Sequence, residues 1–185
     1  MSMLFQTSKN ILFKLGATKQ LGEIMVKERC KHVCIVTDKG IRNAGLLDDG
    51  VASLKAAGVE VTIFDEVVPD PLESNIYDGT KLCIDNGVDG IIGFGGGSSM
   101  DVAKVIAYLT KEENHGTKLD DIYGVGVATG GRIPLVQVPT TAGTGSEVTQ
   151  IAVVKRSETV KAGIVSPTLL PDWAVLDGAL TCSCP

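Results

Sequence analysis

Apolar positions in the first hundred residues alternate between short continuous runs and longer stretches with helical spacing. The segment 88–109, VDGIIGFGGGSSMDVAKVIAYL, shows both patterns in succession. Its apolar run 88–94 is too short for a helix and predicts a strand buried on both faces of a parallel sheet. Apolar residues then recur at i, i+3, i+4 and i+7 from Val102 to Leu109, which predicts an amphipathic helix. Ser98 and Asp101 have the spacing of a capping box, so we expect this helix to begin at Ser98.

The same alternation continues on both sides of this segment and predicts further strands and helices. The predicted strands are 11–15, 33–37, 59–64, 133–138 and 173–176, and the predicted helices are 19–30 (capped by Thr18), 43–57 and 76–86. Two apolar segments, 151–154 and 159–165, flank a polar turn and predict a hairpin. The predicted fold class is therefore α/β: a doubly wound, Rossmann-like parallel sheet with a small antiparallel hairpin near the C-terminus.

Three polar or glycine-rich connections follow predicted strands. They are Asp38, the Pro-Asp-Pro loop at 69–71 and the glycine turn at 95–98. Ligands in parallel α/β sheets bind beyond the carboxyl ends of the strands. We therefore expect these three connections to lie along one rim of the sheet.

The turn after the strand 88–94 consists of Gly95, Gly96, Gly97 and Ser98. A strand, a glycine turn and a helix N-terminus together favour anion binding, because the first-turn N–H groups lack intrahelical partners and the helix dipole adds positive charge. Glycines leave no side chain between those donors and a phosphate. The run therefore favours a pyrophosphate cradle, although a tight turn that needs glycine for its backbone angles has a similar composition. It matches neither G-x-G-x-x-G nor the Gly-Lys-Ser/Thr type of phosphate loop.

A second loop of small residues, PTTAGTGSE at 139–147, follows the predicted strand 133–138. Its hydroxyl groups and bare backbone suit contacts to a polar ligand, but a solvated loop has the same composition. Beside a phosphate cradle, the ligand interpretation is favoured. Lys161, inside the predicted strand 159–165, is interpreted either as a solvated lysine or as a cation near that ligand.

Composition and charge argue against a nucleic-acid-binding, secreted or membrane-spanning protein. The 185 residues carry a net charge of −5 without a basic cluster, so a nucleic-acid partner is not expected. The N-terminus lacks the pattern of a signal peptide, and no apolar run approaches the roughly 20 residues that span a bilayer. Five cysteines, an odd number, indicate reduced thiols and predict a cytoplasmic protein. The spacing of Cys182 and Cys184 allows a soft metal, but no histidine or second cysteine pair is near them in sequence.

Three segments match one family in its order: GGGSSMDVAK at 95–104, PTTAGTGSEVT at 139–149 and KAGIVSPTLLPDWAVLD at 161–177. On these motifs the chain resembles the N-terminal half of the iron-containing (metal-dependent, group III) alcohol dehydrogenases. The resemblance covers essentially the whole chain. It implies a nicotinamide-dependent oxidoreductase that has two domains with a cleft between them.

The resemblance also implies roles for individual residues. By position in the motifs, the implied cofactor-binding residues are Gly96, Gly97, Ser98 and Asp101 at the pyrophosphate, Thr140, Thr141, Thr144 and Ser146 around the phosphates, ribose and nicotinamide, and Thr149 and Lys161 at the nicotinamide ribose. Asp38 matches the position that faces the adenosine ribose. A carboxylate there accepts from the 2′-hydroxyl and repels a 2′-phosphate, so NAD is predicted over NADP.

The metal site of the family lies in a part of the sequence that this chain does not match. In the family an Asp and three His of a C-terminal helical domain bind one divalent metal, Fe²⁺ or Zn²⁺, which acts as a Lewis acid. Residues 1–180 are predicted to be the dinucleotide-binding domain and 181–185 the start of the connection to the helical domain. Neither His32 nor His115 matches a ligand position, and no catalytic residue is assigned. The chain alone is expected to bind the dinucleotide without turning over alcohol.

Two departures and two alternatives accompany the resemblance. Asp70 stands where the family usually has Asn, and the segment 180–185, LTCSCP, carries cysteines in place of the usual leucine. The implied partners are a small alcohol or aldehyde and further copies of the chain, as a homodimer or a higher oligomer. Glycerol dehydrogenases and dehydroquinate synthases share this nucleotide domain and remain alternatives. So does a non-catalytic module that binds a dinucleotide or assembles through the strand 11–15 at a sheet edge.

Overall fold

Strands and helices alternate through most of the chain, as the apolar pattern predicts. The computed structural model describes residues 5–157 and 159–182. The strands are β1 Asn10–Phe13, β2 His32–Val36, β3 Glu60–Phe64, β4 Gly90–Gly95, β5 Gly124–Val125, β6 Leu135–Pro139, β7 Ile151–Lys155, β8 Lys161–Val165 and β9 Trp173–Leu176. The α-helices are α1 Leu21–Lys27, α2 Lys39–Asn43, α3 Asp48–Ala56, α4 Glu73–Asp85 and α5 Gly97–Leu109. Among the described residues, none of the helices combines the length and the apolar character of a membrane-spanning segment.

Six of the strands form one parallel sheet in the order β1-β9-β6-β4-β2-β3. A second, three-stranded sheet has the order β5-β8-β7, in which β7 and β8 pair antiparallel as the predicted hairpin. The fold class predicted from the sequence is therefore confirmed. The strand β1 lies at an edge of the large sheet, as expected for the segment 11–15.

Apolar side chains cover both faces of the large sheet. Along β4 the side chains alternate: Ile91 joins the core with α4 and α5, whereas Ile92 and Phe94 join the core with α1 and α3. Every residue of β4 is buried. This burial explains why its sequence is a continuous apolar run and not an alternating one.

Two predicted helices have different boundaries in the structure. The predicted helix 43–57 is the shorter α3, Asp48–Ala56, because Gly45 takes a positive φ of 70° and ends the preceding helix α2, Lys39–Asn43, which was not predicted. The predicted helix 19–30 is the shorter α1, preceded by a 3₁₀ turn at Ala17–Gln20. Thr18 does not cap it, because Gln20 holds the N-cap position of α1; the Thr18 hydroxyl donates to Asp177 Oδ2 at 2.9 Å.

Candidate functional site

The carboxyl ends of β2, β3, β4 and β6 surround a cavity of about 510 Å³. Its lining includes Asp38–Ile41, Asp65–Pro69, Gly96–Ser99, Thr140 and Thr141. Asp38, the start of the 69–71 loop and the glycine turn therefore share one rim, which confirms that expectation. This is the place where ligands bind in parallel α/β sheets.

Gly95 and Gly96 of the turn have different structural requirements. Gly95 has a φ of 148°, and a Cβ added to it would lie 2.7 Å from Ser99 Oγ, so the fold itself needs glycine there. Gly96 has a φ of −79°, and the nearest atom to an added Cβ is Thr141 Oγ1 at 3.6 Å. Because a side chain at Gly96 fits the backbone and its neighbours, the tight turn alone does not explain this glycine. What a side chain there would obstruct is the cavity.

The glycine turn leads into α5, a helix of 13 residues whose N-cap is Gly96. No side chain caps this end. The first-turn N–H groups that a cap would satisfy thus remain available to an anion. The predicted capping box is wrong, because the helix begins at Gly97 and the Asp101 carboxylate instead accepts from Ser146 Oγ at 2.5 Å and from Val153 N at 3.0 Å.

Two threonine hydroxyls beside this helix end lack hydrogen-bond partners. Within the described residues, the buried Oγ1 atoms of Thr140 and Thr141 have no partner. The backbone holds them beside the turn, since Thr140 N donates to Gly95 O at 3.0 Å. A buried hydroxyl without a partner is costly, and a polar ligand in the cavity would satisfy it.

One carboxylate oxygen of Asp38 caps a helix, and the other faces the glycine turn at the cavity. Oδ1 accepts from Ile41 N at 3.0 Å and caps α2. Oδ2 faces the glycine turn, 3.6 Å from the position of a Cβ on Gly95. Capping its own backbone and binding a ribose therefore do not compete for the same atom.

Charges on the wall beyond Asp38 are matched in pairs. Lys39 Nζ lies 2.9 Å from Glu66 Oε2, and Arg42 Nη1 lies 2.7 Å from Asp65 Oδ2. The hydrogen bond to Glu66 raises the pKa of Lys39. Both cations thus face carboxylates, while Asp38 has no ion-pair partner in the part of the chain that the structure describes.

The structure brings Asp101, Ser146 and Thr149 together around Lys104. The role of Lys104 was not predicted from the sequence. Lys104 is fully buried, and its Nζ donates to Ser146 Oγ at 2.9 Å, Thr149 Oγ1 at 3.2 Å and Ile151 O at 2.7 Å. Burial lowers its pKa to about 8, while Asp101, 3.6 Å away, opposes the shift. A single lysine in the otherwise apolar stretch 102–109 is a signal that could have found it.

Thr144 and Lys161 do not line the 510 Å³ cavity. Thr144 packs near the turn, with its Cγ2 3.2 Å from a Cβ placed on Gly97. Lys161 is half-exposed and pairs with Asp70 at 2.5 Å, and it is not among the residues that line the 510 Å³ cavity. Asp70 has a φ of +52°, a conformation that Asn and Asp both tolerate, so the exchange of Asn for Asp keeps this backbone.

A second cavity of about 270 Å³ lies at the carboxyl ends of β6 and β9. Its lining includes Phe13, Pro139, Thr141, Ala142, Gly143, Glu147 and Leu176–Gly178. Thr141 lines both cavities and therefore stands between them.

A divalent metal does not fit the residues described. Among residues 5–157 and 159–182, no group of three His, Cys, Asp or Glu side chains is placed to hold a metal ion. His32 Nε2 lies 2.8 Å from Thr62 Oγ1, and His115 Nε2 lies 3.0 Å from Thr110 O. Cys184, part of the proposed soft-metal pair, lies outside the described residues.

Comparison with known proteins shows close similarity to one family. NAD-dependent methanol dehydrogenase of Bacillus methanolicus is 32% identical over 166 residues, which cover 89% of this chain and 43% of that protein. The crystal structure of a 1,3-propanediol oxidoreductase superposes with a TM-score of 0.94 at 35% identity, covering all of this chain and 48% of the other. Sulfoacetaldehyde reductase from Bifidobacterium kashiwanohense, solved in complex with NAD⁺, gives a TM-score of 0.90 at 28% identity, covering all of this chain and 48% of that one.

The chain thus spans less than half the length of these relatives. The family described as iron-containing alcohol dehydrogenase matches residues 8–178. That match covers almost the entire chain, including the glycine turn, the 139–149 loop and the hairpin. The chain therefore belongs to the iron-containing alcohol dehydrogenase family.

Proposed function

We propose that this chain binds NAD in the cavity between the glycine turn and Asp38. The observation that carries the proposal is the combination at one helix end of free first-turn N–H groups, a glycine that the fold does not require and two buried hydroxyls without partners. Each of these features is unfavourable or unnecessary for the fold alone. A pyrophosphate with its riboses gives all three a role.

In this proposal the cofactor extends across the rim of the sheet. Its pyrophosphate lies at Gly96–Ser98 and its adenosine ribose lies at Asp38. Its nicotinamide half extends past Thr141 toward the second cavity, because Thr141 lines both spaces. Contacts from Thr144, Ser146, Thr149 and Lys161 to the bound cofactor stay predictions, as does that of Asp101.

For the protein that carries this chain, we propose hydride transfer between a small alcohol and NAD. The relatives of known activity include a methanol dehydrogenase and a propanediol oxidoreductase, which support this reaction. A divalent metal, when bound by residues outside those described here, would act as a Lewis acid. Residues 1–180 would serve as the dinucleotide-binding domain. Two further predictions are that the protein is cytoplasmic and that it assembles into a homo-oligomer. The activities of the relatives favour this reaction over the glycerol dehydrogenase, dehydroquinate synthase and non-catalytic alternatives.

Backbone amide NMR tests where the dinucleotide binds. Addition of NAD⁺ to the ¹⁵N-labelled chain is expected to shift the amides of Gly96–Ser99 and Thr140–Thr141 most strongly. The amides of Val59 and Glu60, at the amino end of β3 and away from the cavity, serve as the internal control. Shifts confined to other regions, or none at saturating NAD⁺, would contradict the proposed site.

A further inference from the structure

Lys104 lies beneath the proposed cofactor site and reaches three parts of the structure at once. Its backbone belongs to the second turn of α5, whose N-terminus lies at the cavity. Its ammonium group contacts the 3₁₀ turn at Ser146–Val148, the residue Thr149 after it, and the first residue of β7. Asp101, one turn earlier on α5, adds to this connection by accepting from Ser146 Oγ at 2.5 Å and from Val153 N at 3.0 Å.

The connection continues from Lys104 to the cavity wall. Ser146 accepts from Lys104 through its hydroxyl, and its backbone N donates to Thr144 Oγ1 at 3.3 Å. Thr144 in turn packs against the glycine turn at Gly97. One of the chains of contacts that fix the loop relative to the glycine turn thus begins at the Lys104 ammonium group.

We infer that Lys104 is a positioning residue, which in its charged form holds the 139–149 loop in the geometry that binds the dinucleotide. This inference rests on the proposed function, because it assumes that the loop and the glycine turn bind NAD together. Lys104 itself does not line the cavity, so it acts through Ser146 and Thr144 and not by touching the cofactor. Asp101, Ser146 and Thr149 accordingly serve this support, whatever further contacts they make.

The number of donors explains why the charged form matters. A lysine ammonium has three N–H donors, and Lys104 uses them on Ser146, Thr149 and the Ile151 carbonyl. The neutral amine has two donors and one lone pair, so one of these bonds is kept only if the Thr149 hydroxyl turns to donate, and the attraction to Asp101 at 3.6 Å is lost in either case. The charged groups that face Lys104 are Asp101 on α5 and Glu147 on the 3₁₀ turn, whereas β7 presents a neutral carbonyl.

The pKa of Lys104 places this change within reach of a binding experiment. Burial lowers that pKa to about 8, so the charged form predominates below about pH 8 and the neutral form above it. A bound pyrophosphate favours the charged form, so NADH affinity should fall as pH rises through this range. We expect the dissociation constant of NADH to increase about tenfold from about pH 7 to about pH 9.5.

The test measures NADH affinity against pH for the unchanged chain, Lys104→Met and Lys104→Arg. We expect Lys104→Met to bind about tenfold more weakly at pH 7 and to show no step near pH 8. Lys104→Arg keeps its charge throughout and should also lack the step while retaining more affinity than Lys104→Met. Lys81→Met, at an exposed lysine of α4 paired with Asp85, is the matched control and should behave like the unchanged chain.

The outcomes separate this inference from the proposed function. Normal NADH binding by the unchanged chain that stays constant to pH 9.5 would overturn the role of Lys104 alone, as would equal affinity of folded Lys104→Met. Should Lys104→Met fail to fold, the pH profiles of the unchanged chain and Lys104→Arg still decide the question. No NADH binding by the folded, unchanged chain at pH 7 would overturn the proposed function and this inference together.

Discussion

At the scale of single residues, Asp38 shows how one side chain can serve both the fold and the proposed site. One carboxylate oxygen caps α2, and the other faces the glycine turn. The neighbouring cations Lys39 and Arg42 are already matched by Glu66 and Asp65. A 2′-phosphate on the ribose would therefore meet the Asp38 carboxylate without a free cation to compensate it.

Replacing Asp38 by Asn should separate its two roles. The amide oxygen of Asn can still cap α2, so we expect the melting temperature to change little. Loss of the charge should reduce the preference for NADH over NADPH about tenfold, mainly by strengthening NADPH binding. Parallel titrations with both cofactors measure this ratio. Asp49→Asn, at an exposed carboxylate of α3, is the control, and an unchanged ratio in Asp38→Asn would rule out Asp38 as the selector.

The residue scale is also where prediction from the sequence fails most clearly. The spacing of Ser98 and Asp101 predicts a local cap, but Asp101 bonds to Ser146 and Val153, about fifty residues away. Local spacing does not report such long-range partners, because they depend on which strands and loops the fold brings together. Lys104 is missed for the same reason, since its partners all follow β6 in the chain.

At the scale of elements, the unit β4–turn–α5 carries the proposed site, and its elements are predictable from the apolar pattern. The strand is buried on both faces and the helix begins one residue before the expected position. The exact boundary depends on Gly96 and Gly97, whose conformations the apolar pattern does not specify. The late start of α3 relative to the predicted helix 43–57 has a similar cause, because apolar periodicity continues across the backbone turn at Gly45.

Replacing Gly96 by Ala tests whether this glycine serves the fold or the ligand. Its backbone angles and surroundings accept a Cβ, so we expect the variant to lose no more than about 1 kcal/mol of stability at this N-cap position. A methyl group at the cavity should nevertheless weaken NADH binding about tenfold or more, by separating the phosphate from the amides. Thermal melting and NADH titration measure the two effects.

Gly163→Ala provides the matched control for this prediction. Gly163 lies on β8, and no atom lies within 4 Å of a Cβ added to it. It should keep full NADH affinity. Unchanged NADH affinity in the Gly96→Ala variant would contradict the placement of the pyrophosphate at the glycine turn.

At the scale of the whole molecule, the large sheet is covered on both faces, and its carboxyl-end rim holds two adjoining cavities. The strand β1 forms one edge, where Phe13 is exposed beside the second cavity. The overall architecture follows from the order of strands and helices, and so it is predicted well. The cavities are not, because their shapes depend on side-chain packing between connections that are far apart in sequence.

Melting experiments should distinguish the two cofactors of the family. NADH at about one hundred times its dissociation constant should stabilise the chain by about 2.7 kcal/mol, which raises the melting temperature by about 5–10 °C. Fe²⁺ or Zn²⁺ should leave the melting temperature unchanged, because the described residues offer no set of three metal ligands. A clear stabilisation by either metal, lost on replacing Cys182, would contradict this expectation and favour a thiol site at the end of the chain.

Calorimetric titration of the unchanged chain with NADH, at one fixed salt concentration and about pH 7, tests the central claim most directly. We expect saturable binding of one NADH per chain and weaker binding of NADPH under the same conditions. That result would support a dinucleotide site formed by the glycine turn, the two threonines and Asp38. Absence of binding by both cofactors, in a sample whose thermal unfolding shows it to be folded, would contradict the proposed site in this chain.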